Sequence, residues 1–193
     1  MNMDTTPTPS QTVGPFFHLG LTSEQHCVRC IAGPQVKGER VWLACRVLDG
    51  EGQPVTDAMV EVWQADSEGR YRAIGDASAD GVEDGFRGFG RLGTDEDGKC
   101  EFETIRPGRV PGPKGVLQAP HIVVAVFARG MLRQLLTRIY FADDPANQED
   151  EVLALVTRDR RDTLLAHRNP AQQDHWRFDI HLQGEQETVF FDV

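Results

Sequence analysis

The run Gln118-Ala119-Pro120-His121-Ile122-Val123-Val124-Ala125-Val126-Phe127-Ala128-Arg129 is apolar at every position from Ile122 to Ala128. Side chains alternate between the two faces of a strand, so a strand that is apolar on both parities must be covered on both sides. The run therefore predicts a central strand. One polar residue, His121, stands at its start. Residues two apart share a face, so a second ligand for a metal at His121 belongs at 119 or 123, where the chain has Ala119 and Val123. One imidazole does not hold an ion that needs three or four convergent ligands. A packed histidine is the plain reading.

Shorter strands flank this one. Val41, Leu43, Cys45 and Val47 alternate with Trp42, Ala44 and Arg46, and Asp49-Gly50-Glu51-Gly52 follows as a turn. A strand over 59–64 ends at Ser67-Glu68-Gly69, and Asp95-Glu96-Asp97-Gly98 leads into an alternating run over 100–105. Residues 132–141 return after Gly130, while 176–182 and 188–191 close the sheet. Over 150–167, Val152, Leu153, Val156, Leu164 and Leu165 approximate one apolar face, with Arg158, Arg160 and Arg161 opposite, which predicts a helix. Regular turns with one short late helix predict an all-β fold, an antiparallel β-sandwich. The long glycine-rich loops 69–90 and 106–119 are where a rigid scaffold would carry function. Residues 1–35, rich in Thr, Pro, Ser and Gln, read as an N-terminal arm lying across a surface, and 36–193 as the sandwich domain.

A chain of 193 residues fits one domain with a substantial core. Its 30 acidic against 20 basic residues give a net charge of −10, which argues against nucleic acid or an anionic membrane as partner, because phosphates are repelled. No run of eighteen apolar residues and no basic-then-apolar leader is present, so a cytoplasmic location is expected. Cys27 and Cys30 form a lone CxxC. Cys45 and Cys100 fall on strands and supply no second pair of zinc-type spacing, so reduced thiols are expected. His18, His26, His167, His175 and His181 are scattered, and no HExxH pattern, phosphate-cradling loop or nucleophile elbow occurs.

Five stretches in order carry a family resemblance: Thr8-Pro9-Ser10-Gln11-Thr12-Val13-Gly14-Pro15-Phe16-Phe17, Val60-Glu61-Val62-Trp63-Gln64-Ala65-Asp66, Phe89-Gly90-Arg91, Ala119-Pro120-His121-Ile122 with Phe127-Ala128-Arg129-Gly130, and Thr137-Arg138-Ile139-Tyr140-Phe141. The tail Arg177-Phe178-Asp179-Ile180 with Gly184-Glu185 and Thr188-Val189-Phe190-Phe191-Asp192 continues it. Together they resemble the intradiol ring-cleaving dioxygenases. The catalytic chains of that family hold a ferric ion with two tyrosines and two histidines. Carried onto this sequence, the tyrosine positions fall at about Ser78 and at Val110, and the histidine pair on His121 and Val123. Gln118 stands where the catalytic chain usually has an arginine.

The resemblance thus implies a non-iron-binding α-type subunit whose partner, an iron-bearing β subunit, holds Fe(III). The pair would cleave protocatechuate between its hydroxylated carbons with O2, giving 3-carboxy-cis,cis-muconate. It further implies that Thr12, Gly14 and Pro15 wall the partner's substrate pocket, and that Arg129 meets the substrate carboxylate, which a guanidinium binds in bidentate fashion. αβ pairs in the family gather into larger assemblies. Two other readings compete: a metal enzyme acting alone through Tyr71, Tyr140 and His121, and a stand-alone sandwich module binding an aromatic acid or a protein.

Overall fold

Alternation of apolar and polar residues builds most of the strands. In the computed structural model, which describes residues 9–14, 16–72, 82–112 and 115–192, they are β1 (Arg40–Leu48), β2 (Met59–Trp63), β3 (Phe89–Gly93), β4 (Lys99–Ile105), β5 (His121–Phe127), β6 (Leu135–Phe141), β7 (Leu165–Asn169) and β8 (Gln172–His181). Hydrogen bonding links them in the order β3-β2-β5-β6-β7-β8-β1-β4. The join between β6 and β7 is only two residue pairs long, Tyr140 with Leu165 and Phe141 with Ala166. β7 therefore passes the chain from one layer, β3-β2-β5-β6, to the other, β8-β1-β4. This is the expected sandwich, with β5 interior as its sequence requires. Most pairings are antiparallel; β1 with β8 and β6 with β7 run parallel. Parallel neighbours need a long crossover, and β8 reaches β1 only after the intervening strands are laid down.

Val41, Leu43, Cys45 and Val47 from β1 and Ile122, Val124 and Val126 from β5 meet in the core between the layers, all fully buried. Cys45 pairs across strands with Cys100, and its thiol pKa is raised by hydrogen bonding to Cys100 and by burial. All four cysteines are unbridged. Cys27 and Cys30 donate to different carbonyls, those of Thr22 and Ala32.

The surface-arm reading of residues 1–35 does not extend over 28–32. Val28 exchanges both backbone hydrogen bonds with Arg91 of β3, while Ile31 N–H donates to Glu103 O of β4 and Glu103 N–H to Arg29 O. This strap bridges the two edge strands and nearly closes the sandwich into a barrel, which protects edges that would otherwise be open. Ile31 and Ala32 are fully buried. The fit needs a glycine opposite: a Cβ at Gly90 would lie 2.9 Å from Ile31 Cδ1 and from the Phe102 ring.

The helix expected over 150–167 is broken. It becomes α2 (Glu151–Leu155), a 3-10 turn over Arg158–Leu164, and then β7. Val156 is extended, and Arg161 donates to the carbonyls of Val156 (2.9 Å) and Ala154 (3.3 Å). These bonds satisfy acceptors that a helix end leaves over, so the helix stops after five residues. A further short helix, α1 (Phe17–Leu21), lies within the 1–35 arm, where the sequence pattern predicts no packed element. Residues 188–191 run beside β6 without forming a strand, tied by Phe191 N–H to Leu136 O. Among the described residues no helix is long and apolar enough to cross a membrane.

Ile31→Ala should destabilise the fold by about 3 kcal/mol, since it opens a cavity where strap and edges meet. Cys30→Ala, at an exposed strap position, should shift it by less than about 0.5 kcal/mol. Urea denaturation followed by circular dichroism reads both; equal small effects would mean that the strap is not part of the cooperative unit.

Candidate functional site

Directly opposed residues in an antiparallel pair share a face. β5 and β6 pair His121 with Tyr140 and Val123 with Arg138, and β2 sets Trp63 beside Val123. These five side chains therefore occupy the outer face of the first layer, opposite the core-facing Ile122, Val124 and Ile139. Trp63 packs against Phe89 of β3, ring centroids 4.5 Å apart. Tyr140 and His121 lie 5.8 Å apart between centroids.

The cover over this face is anchored by Asp150, the N-cap of α2. Its Oδ1 accepts from Val152 N–H (3.0 Å), Leu153 N–H (2.7 Å) and the Tyr140 hydroxyl (3.1 Å), and its Oδ2 from Ala119 N–H (2.7 Å). Ala119 in turn offers its carbonyl to His121 Nδ1 at 2.8 Å. A carbonyl only accepts, so Nδ1 carries the proton and Nε2 keeps its lone pair. The loops that the sequence marks as function-bearing meet at two glycines. A Cβ at Gly69 would stand 2.0 Å from Arg109 O, and one at Gly108 would stand 2.5 Å from Ser67 O.

Arg138 dominates the electrostatics. Its Nη1 donates to Gln118 Oε1 at 2.7 Å and lies 3.5 Å from the Tyr140 hydroxyl. His121 is 3% exposed; burial first, and the Arg138 charge second, lower its pKa to about 4. Burial and the Asp150 carboxylate push the Tyr140 phenol well above its ordinary value. Burial raises Tyr71 as well, opposed by the charge of Arg138, although Tyr71 is 46% exposed.

These donors do not fit a ferric ion. Val123 and the buried Val110 offer alkyl groups at two of the positions that the family resemblance marks for ligands. Ser78, the third, lies outside the described residues. The reading with Tyr71, Tyr140 and His121 as a ligand set needs phenolates, yet both phenols are shifted toward staying protonated, and a guanidinium stands among them. No cluster of three or more His, Cys, Asp or Glu suited to a metal occurs among the described residues.

A second constellation lies at the other end of β5. Thr12 Oγ1 accepts from Gly130 N–H at 2.8 Å, which ties the arm to the residue after Arg129. Arg129, 60% exposed, pairs through Nε with Asp57. Thr12 and Arg129 are thus brought together, from positions more than a hundred residues apart. A Cβ at Gly14 would meet nothing within 4 Å, so this chain by itself does not demand a glycine there. Pro15 lies outside the described residues. The sequence reading missed Asp57, Asp150 and the role of Arg138. A charged residue inside an apolar run was the available signal for Arg138; its facing partner is set by register, which no local pattern reveals. A cleft of about 560 Å³ lies elsewhere, near Arg160, His167, Arg177 and His181. There Arg177 is bound to Asp179 and Arg160 to Glu187 O, so its charges do not converge on a common point.

Comparison with known proteins matches residues 12–184 to the family model described as Dioxygenase. The protocatechuate 3,4-dioxygenase alpha chain of Burkholderia cepacia is 45% identical, covering 96% of this chain and 97% of the relative. The alpha chain from Pseudomonas putida is 43% identical, with 96% of each covered. The Burkholderia cepacia beta chain is 34% identical over 78% of this chain and 67% of its own length. Among solved structures, the dioxygenase domain of a carbohydrate-binding fusion from Streptomyces sp. SirexAA-E superposes with a TM-score of 0.63 at 27% identity, covering 93% of this chain and 99% of that one.

The depressed pKa of His121 has a measurable consequence. Between pH 6.5 and about 4 the unfolded chain binds a proton at this residue that the folded chain refuses. Stability is therefore full above pH 6.5 and falls as the pH drops toward 4, by about 3 kcal/mol from this group. His121→Gln should flatten that part of the profile in denaturation at pH 7 and pH 4.5. Parallel losses in both proteins would assign the acid sensitivity to other groups.

Proposed function

Since this chain belongs to the intradiol dioxygenase family, we propose that it is the α-type subunit of a protocatechuate 3,4-dioxygenase and binds no iron itself. The family is iron-dependent, and on this reading Fe(III) resides in an iron-bearing β subunit. The observation that carries the reading is a family pocket with one histidine, two valines and a guanidinium in a chain matched end to end by α chains. The reaction adds both atoms of O2 across the bond between the two hydroxylated carbons of protocatechuate. The product is 3-carboxy-cis,cis-muconate.

The chain's own contribution is a wall and a charge. Thr12 of the 1–35 arm lies at the end of β5; on this reading Thr12, Gly14 and Pro15 border the partner's substrate pocket and the 36–193 domain forms the pairing face. The Thr12–Gly130 hydrogen bond holds that wall beside Arg129. Asp57 engages the Nε edge of Arg129, and the exposed remainder of the fork is suited to a substrate carboxylate. The open surroundings of Gly14 are consistent with a requirement imposed by the other chain rather than by this one.

The test is co-expression with an iron-bearing β chain. Purified alone, this chain should carry no stoichiometric iron and no tyrosinate-to-iron absorption; the complex should carry one iron per αβ pair and cleave protocatechuate. Stoichiometric iron in the chain alone would overturn the reading. In the active complex, Arg129→Ala should raise KM for protocatechuate by roughly tenfold to a hundredfold, the worth of a charge-assisted pair, and leave turnover of catechol, which lacks the carboxylate, near its original value. Equal losses on both substrates would remove Arg129 from carboxylate recognition.

A further inference from the structure

Missing ligands alone do not describe the pocket over β5 and β6, because a permanent positive charge has been built into it. Arg138 sits directly across from Val123, one of the two histidine positions implied by the family, and on the same face of the sheet as His121. We propose that Arg138 is an internal cation that keeps this pocket closed to metal: its guanidinium fills the room beside His121 and repels any cation entering there. The inference uses family membership to locate the pocket and is independent of the pairing with a β chain. Failure to assemble with such a chain would leave it standing.

Three observations carry it. The guanidinium is fixed, with Nη1 held by Gln118 Oε1 at 2.7 Å and 3.5 Å from the Tyr140 hydroxyl, so it does not swing out to solvent without breaking a part-buried bond. It lies beside the Tyr140 hydroxyl, an oxygen that could offer a phenolate to an ion next to His121, and that oxygen is already committed to Asp150. Arginine keeps its charge at any relevant pH. A divalent or trivalent ion a few ångströms away in a partly buried site meets like-charge repulsion on top of the loss of ligands. His121, by contrast, keeps the tautomer suited to ligation, with Nδ1–H on Ala119 O. The scaffold of a metal site persists, and the charge occupies it.

The experiment titrates Co(II) alone into the full chain carrying no histidine tag, by calorimetry and by the visible cobalt band. Val123→His supplies a second histidine on the same face, and is compared with Val123→His combined with Arg138→Gln, Arg138→Met or Arg138→Lys. The two neutral replacements should bind about one cobalt per chain, at least ~100-fold more tightly than Val123→His alone. The lysine combination, which keeps the charge, should stay as weak as Val123→His alone. Circular dichroism verifies folding, and methionine and glutamine serve as alternatives should one perturb the fold. Tight cobalt binding by Val123→His with Arg138 in place would overturn the proposal. So would neutral combinations that fold and bind no better, because the ligand set alone would then control metal exclusion.

Discussion

A single buried carboxylate organises the functional end of this molecule. Asp150 is 1% exposed, and its two oxygens accept from three backbone N–H groups and one phenol. A buried carboxylate is tolerable only when its lone pairs are met by donors, and hydrogen bonds to an ionised acceptor are stronger than neutral ones. Asp150 meets that condition by drawing together the start of α2, the end of the 106–119 loop and the outer face of β6. The chain does not need a long helix there. Five residues of α2, capped by Asp150 at one end and closed by Arg161 at the other, are enough to cover Tyr140 with Leu153.

The same clamp fixes the pocket's chemistry. By holding Ala119, Asp150 sets the carbonyl that orients His121, and by holding Tyr140 it favours the protonated phenol. Arg138 adds its charge to burial in keeping the imidazole neutral, while burial holds both phenols toward the protonated form against the pull of that same charge. Within a fold that elsewhere supports an oxidative metal enzyme, this face has become a packed layer with a cation at its centre. Aromatic packing of Trp63 on Phe89 extends the layer across β2 and β3.

At the opposite end of β5 the organising contact is weaker and more exposed. One hydroxyl, that of Thr12, ties the arm to Gly130, and one carboxylate, that of Asp57, holds Arg129 at the surface. Exposed pairs of this kind add little to stability. Their effect is to preset the direction of the Arg129 side chain and the course of the arm. The anchored part of the N-terminal segment is the strap at 28–32, paired with β3 and β4 and buried at Ile31 and Ala32, so the arm departs from a fixed root.

The apolar run over 122–128 required an interior strand, and the alternation of Val41, Leu43, Cys45 and Val47 required a face turned to the core; both follow from local periodicity and both are found. The ordered family stretches marked the chain's relatives, and Val123 and Val110 marked absent ligands, because side-chain chemistry is written directly in the sequence. The strap was not legible, since it pairs one residue at a time with two different strands and so carries no strand-like repeat. The periodicity over 150–167 suggests one helix, but Asp150 caps only its start, and the helix closes after five residues where Arg161 donates to the carbonyls of Ala154 and Val156. Arg138 opposite Val123, Asp150 against Tyr140 and Thr12 against Gly130 are products of register and of the sandwich's closure. Contacts between residues so distant in sequence depend on which strands become neighbours, and only the folded chain decides that.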